Sequence, residues 1–205
     1  VAGLPVRRAV WLWRLAMLFA LAALGYSFWL AAGFDPAGPA IQFHESRPWN
    51  VRLGSYFALG IDGIALAMVL LTALLTLIAV LVSRRMEVGA RLYFTLVLLL
   101  ESAMFGVFTA RDWSLFYVFW EATLLPLFFL IDRLGGPNRQ RAALNFFLYT
   151  LGGSVFMQVS LLFLYDAAPG HSFAMGDMAE GGRDLPLNTQ LLIFAGLFIG
   201  FGVKM

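Results

Sequence analysis

The chain is dominated by apolar stretches of about 20 residues, the length a helix needs to cross a hydrocarbon core about 30 Å thick. Six can be read, at 9–32, 61–83, 92–110, 113–131, 142–165 and 190–205, separated by charged segments. Inside a bilayer every backbone N–H and C=O must be satisfied within the structure, which leaves helices or a closed barrel. Runs of this length select helices. The expected fold is all-α, a polytopic transmembrane helix bundle, and a water-soluble globule is excluded. Composition agrees, with 61% hydrophobic and 13% charged residues, against roughly 45–50% and 25% in soluble domains.

Two longer connections read as exposed loops. One, at 33–60, carries Pro and Gly with the polar Gln42, His44, Glu45, Arg47 and Arg52; the other, after Tyr165, is rich in Gly and Asp. The chain opens on Val1 rather than on an initiating Met, and the sixth stretch has run only about 15 residues, or about 22 Å, at Met205. Residues 1–205 are therefore expected to be a single membrane-embedded fragment of a longer subunit.

Arginine sets the expected orientation. Arg7, Arg8 and Arg14 open the first stretch, Arg84, Arg85 and Arg91 join the second and third, and Arg133, Arg139 and Arg141 join the fourth and fifth. The intervening connections are balanced or acidic, most clearly Asp166, Asp177, Glu180 and Asp184 against Arg183. By the positive-inside rule the N-terminal end and every second connection face the cytoplasm. A basic flank before an apolar run also describes a signal peptide, but this run is longer than a signal core.

Several function classes recede. With no Cys, and with His44 and His171 in polar connections, the chain lacks the usual ligands of haem and iron–sulfur centres inside a span. Its methionines read as packing residues. The basic residues are spread over connections rather than gathered in a patch, which argues against nucleic acid. Neither a GxxxxGK[ST] loop nor an HExxH pair is present, so energy from a nucleotide would have to enter through another subunit.

What remains is charge where it is costly. Glu101, Glu121 and Lys204 each lie well inside an apolar stretch, where a charged group costs at least a few kcal/mol and usually lines a path or pairs with another group. Glu101 and Glu121 stand about 15 Å on either side of the turn at Ala110–Asp112, and Lys204 about 21 Å from the same side, so all three fit one central layer. Burial disfavours the charged form of each and a nearby opposite charge favours it. A Glu whose distance from a buried Lys changes can therefore load and unload that Lys. The alternative is that these groups only hold helices together.

Neighbouring residues bear on the same layer. Pro126 withholds a hydrogen bond from the Ala122 carbonyl, so a bend or a freed carbonyl is expected beside Glu121. Gly196, Gly200 and Gly202 precede Lys204; close helix packing is their first reading and local unwinding their second. Asp62 and Asp112 are expected to cap helices, with Arg111 balancing the charge of Asp112.

The runs LGIDGIALAMVLLTALL, LFYVFWEATLLPLFFLI, LNFFLYTLGGS and FIGFGVKM resemble, in order and spacing, the antiporter-like proton-translocating subunit M of respiratory complex I, the bacterial counterpart of mitochondrial NADH dehydrogenase subunit 4. The likeness runs from about Ile61 to Met205 and is weaker before it. It implies that Glu121 is the membrane-embedded acid of the family's fifth helix and Lys204 the lysine of its broken seventh helix, a pair whose changing interaction drives proton transfer. Glu101 would be an auxiliary carboxyl. The chain would hold the family's second to seventh helices, an incomplete N-terminal half of an inverted-repeat subunit. Asn145 stands where many relatives carry Lys, so no role of that Lys carries over.

The resemblance further implies a multi-pass protein of the bacterial inner membrane, with its N-terminal end cytoplasmic. Its partners would be other membrane subunits, including neighbouring antiporter-like ones, besides lipid and protons. No cofactor is expected in this chain; NADH, FMN, iron–sulfur clusters and quinone would belong to partner subunits. The alternatives are a subunit of a multisubunit sodium/proton antiporter or of a membrane-bound hydrogenase.

Overall fold

A computed structural model describes residues 6–86 and 88–204, with side chains from residue 9 onward. Met205, the last residue of the VKM motif, lies outside the described residues. Helices α1 (Val6–Gly33), α2 (Gly63–Val82), α3 (Ala90–Thr109), α4 (Trp113–Ala122), α5 (Leu124–Leu134), α6 (Arg139–Ala167), α7 (Met175–Arg183) and α8 (Leu187–Gly202) form a bundle, with one hairpin, β1 (Gln42–Asn50) and β2 (Ser55–Ile61), after α1. Among the described residues five stretches are long and apolar enough to cross a membrane: Ala9–Gly33, Gly63–Arg85, Ala90–Thr109, Trp113–Leu134, which joins α4 and α5, and Arg139–Ala167. The apolar α8 is shorter, at 16 residues.

The bundle is inside-out relative to a soluble domain. Large apolar side chains such as Phe19, Leu75, Leu148, Phe156 and Phe198 are exposed, while small ones fill the contacts. Ala9, Ala16 and Ala20 of α1 pack with Val80 of α2 and with Ala90 and Phe94 of α3. Lipid supplies no driving force between apolar helices, so close approach through small residues does. Gly106 of α3 lies against the Phe119 ring of α4 with no room for a Cβ, and Gly196 and Gly200 of α8 lie equally close to Ser160 and Met157 of α6. The glycines at 196 and 200 thus serve packing.

The arginine-bearing connections gather at one end. Trp13 donates through its indole to the Val80 carbonyl at 2.9 Å, Arg84 stacks over the Trp13 ring at 5.3 Å, and Gly89 meets Leu134. At the other end the turn between α3 and α4 is stitched to two further segments. The Arg111 amide donates to Ala58 of β2, the Trp113 amide to Phe173 and the Met175 amide to Arg111.

Both connections expected as loops carry structure. The stretch 33–60 holds the antiparallel hairpin, paired from Gln42↔Ile61 to Asn50↔Ser55 with register shifts between Gln42 and Glu45 and between Pro48 and Asn50. Its signal was masked because β1 is exposed along almost its whole length and carries Pro48, which an edge strand tolerates. The segment after Tyr165 holds α7, anchored by the fully buried Met178 in a cluster with Met157 and Leu161.

The two capping aspartates act as expected, and Arg111 does not. Asp62 accepts from the Ala65 amide at 2.8 Å, and Asp112, fully buried, accepts from the Ser114 and Leu115 amides. Asp112 is then saturated by the Tyr56 amide at 3.0 Å. Arg111 instead reaches Asp62, 2.9 Å away, because successive side chains of an extended segment point to opposite sides.

Candidate functional site

The hydrogen-bond ladder of the helix entered at Trp113 is interrupted after Thr123, three residues before Pro126, although Thr123 itself keeps helical backbone angles (φ −67°, ψ −26°). Proline has no N–H to offer four residues back and its ring crowds the preceding turn, so the helix is weakest just upstream of it. At the break the Thr123 amide bonds to the Phe119 carbonyl at 3.1 Å and the Thr123 hydroxyl donates to the Trp120 carbonyl at 2.8 Å.

Lys204 comes to this break from the end of α8. Its Nζ donates to the Trp120 carbonyl at 2.6 Å and to the Thr123 hydroxyl at 3.2 Å, and lies 4.1 Å from the centre of the Trp120 ring. The expected freed carbonyl was that of Ala122, on the other side of Glu121. The carbonyl engaged is that of Trp120 because α8 approaches from that side, with Phe201 packed on Phe116 and Trp120. Val203 is seated by Gly153 of α6, where a Cβ would collide with it.

Glu121 follows Trp120 directly in the chain. Among the described residues the ion pairs are Arg47–Glu45, Arg111–Asp62, Arg133–Asp132 and, if His171 is protonated, His171–Asp166; Glu121 and Lys204 are not within ion-pair distance. Glu121 Oε1 is buried without a hydrogen-bond partner, as are Glu101 Oε1 and the Trp120 indole nitrogen. Glu101 is only 5% exposed. Buried polar atoms are rarely left unpaired in folded proteins, and water is the usual partner where protein supplies none.

The three charged residues lie at neighbouring levels of the bundle, Lys204 touching the residue before Glu121. The contact of Gly106 with Phe119 fixes the level of α3 against α4, which run antiparallel. Glu101 then stands opposite about residue 124, so its level differs from that of Glu121 by about three residues, or about 5 Å. A cavity of about 720 Å³ borders the break, with Met104, Phe108, Trp120, Thr123, Phe201 and Lys204 in its wall.

Trp120 and Thr123 were not singled out from sequence. The available signal was weak: a Trp immediately before a buried Glu, and a hydroxyl three residues before a proline, each common in membrane helices.

Residues 110–205 match the family described as NADH:quinone oxidoreductase/Mrp antiporter, transmembrane. NADH-quinone oxidoreductase subunit M of Rickettsia felis is 37% identical over 199 residues, covering 97% of this chain and 40% of that protein. Residues 110–205 thus carry the sequence pattern of this antiporter-like family. Another relative, NAD(P)H-quinone oxidoreductase chain 4 of a Picosynechococcus species, is 38% identical over 185 residues, 90% of this chain and 33% of its own length. The chain thus spans between a third and two fifths of the length of these curated relatives.

Among solved structures, respiratory complex I from Thermus thermophilus with bound NADH matches 96% of the chain and 44% of its own, with a TM-score of 0.78 and 29% identity. The Mrp complex from a Dietzia species shares the fold, with a TM-score of 0.80 at 20% identity over 97% of this chain and 22% of its own. The relatives align across nearly all of this chain, so the family likeness extends into the first span, where sequence alone showed it weakly.

Proposed function

We propose that the chain is part of a membrane-embedded, proton-translocating subunit of an NADH:quinone oxidoreductase, in which Glu121 modulates Lys204, Lys204 carries the proton and Glu101 is an auxiliary carboxyl. The observation that carries this reading is the placement of Lys204 on the Trp120 carbonyl, one residue from Glu121, in the layer that also holds Glu101. A carboxylate that draws nearer strengthens the lysine's hold on its proton, and one that recedes weakens it. The orphaned carboxyl oxygens of Glu101 and Glu121 support a hydrated route through that layer.

In this reading partner subunits hold NADH, FMN, iron–sulfur clusters and quinone, neighbouring antiporter-like subunits flank this one, and the complex sits in a bacterial inner membrane. The end that gathers Arg84, Arg85 and Arg133 faces the cytoplasm, as does the N-terminal end. The names and identities of the aligned relatives favour this over a sodium/proton antiporter, to which the solved likeness is one of fold.

The test is Glu121→Gln in the full-length subunit, with protons moved per NADH oxidised measured per assembled complex. Uncharged Gln keeps the shape, so the ratio is expected to fall by at least about ten-fold if the buried charge drives transfer. If Glu121 only holds helices together, fewer complexes assemble and each pumps normally.

A further inference from the structure

Lys204 rests on groups other than its expected partner. An ammonium has three donors and no acceptor. Here two are directed at the Trp120 carbonyl and the Thr123 hydroxyl, and the remaining side faces the Trp120 ring. The two oxygens and the ring face thus give the Lys204 ammonium a defined set of contacts apart from the Glu121 carboxylate.

The pocket is also built to stay in place. Trp120 stacks on Phe116, ring centres 5.6 Å apart, and meets Phe201 edge-on at 5.3 Å. The Thr123 hydroxyl is oriented by donating to the same Trp120 carbonyl that Lys204 uses. The Trp120 carbonyl and the Glu121 carboxylate belong to adjacent residues of one chain segment.

We propose that the Trp120 carbonyl and ring, with the Thr123 hydroxyl, form a docking station for the protonated Lys204 separate from Glu121, making Trp120 and Thr123 positioning residues in proton transfer. The inference rests on Lys204 as carrier. Proton movement then alternates Lys204 between a station that holds its charge and a carboxylate that draws it away.

The experiment places Thr123→Val, Thr123→Ser and Lys204→Ala separately in the full-length subunit and measures protons moved per NADH oxidised, per assembled complex. Val keeps the shape of Thr and removes the hydroxyl, so the ratio is expected to fall by about an order of magnitude, the weight of one hydrogen bond to a charged group, while Ser stays within about two-fold of the parent. In parallel, the complex is labelled with 5-fluorotryptophan, and the Trp120 fluorine resonance is assigned by its loss in Trp120→Phe. That resonance is expected to shift in Lys204→Met. Normal pumping in Thr123→Val with impaired pumping in Lys204→Ala overturns the station and leaves the carrier intact. Normal pumping in Lys204→Ala overturns both. A Trp120 resonance indifferent to Lys204→Met overturns the station even if Thr123→Val pumps poorly.

Discussion

Asp62 shows how a single carboxylate organises a helix end at the membrane surface. It sits one residue before the span Gly63–Arg85. Its affinity for a proton is lowered from the ordinary value of 3.8, first by the Ala65 amide and then by the Arg111 guanidinium, against the opposing effect of burial. A carboxyl whose folded value is depressed contributes stability that is fully present above its unfolded value and lost as pH falls through the folded one. Asn at this position keeps the cap and loses the charge. Thermal unfolding of Asp62→Asn in detergent is therefore expected to show a deficit of up to about 1 kcal/mol at neutral pH, modest because the pair is partly exposed. The deficit should begin to shrink as the pH drops below 3.8 and vanish once it has fallen below the lower folded value; a deficit unchanged across that fall would assign the effect to the cap. Caps of this kind were legible in sequence because a short acid before an apolar run has one main use. The partner of Arg111 was not, since it depends on which way an extended segment turns its side chains.

At the scale of elements, α8 delivers Lys204 because glycine lets it lie close on α6. A Cβ at Gly200 would collide with Met157, whereas one at Gly152, on the exposed side of α6, meets nothing. Gly200→Ala is expected to cost roughly 1–3 kcal/mol through overpacking, read as a lower unfolding temperature, with Gly152→Ala nearly unaffected. Equal temperatures for the two would remove the argument that close packing sets the position of Lys204. The helices could be read from their apolar runs, but the hairpin and α7 could not. Both are polar and short, and their hydrogen bonds and anchors come from distant segments: Tyr56 to Asp112, and Met178 to Met157. The break at Thr123 was half legible. Pro126 announced a weak point, and the approach of α8 decided which carbonyl it would serve.

At the scale of the molecule, the bundle separates an arginine-bearing end from an end made of the hairpin, the α3–α4 turn and α7. The absence of cysteine from the chain makes sidedness directly measurable. Gln140→Cys, beside Arg139 and Arg141, is expected to react with an impermeant maleimide only from the cytoplasmic face, and Glu180→Cys only from the opposite one; the reverse pattern would invert the topology. Between those ends lies the layer of Glu101, Glu121 and Lys204. Its residues were legible because charge in an apolar run is conspicuous, while its geometry was not: the lysine docks on Trp120 and Thr123 and leaves the carboxyl oxygen of Glu121 without a partner. The central claim is that Lys204 carries the proton. Its most direct test is the number of protons moved per NADH oxidised by complexes assembled with Lys204→Ala in the full-length subunit. A fall of at least about ten-fold at normal assembly is expected for a buried charge in the path, and an unchanged ratio at normal assembly would contradict it.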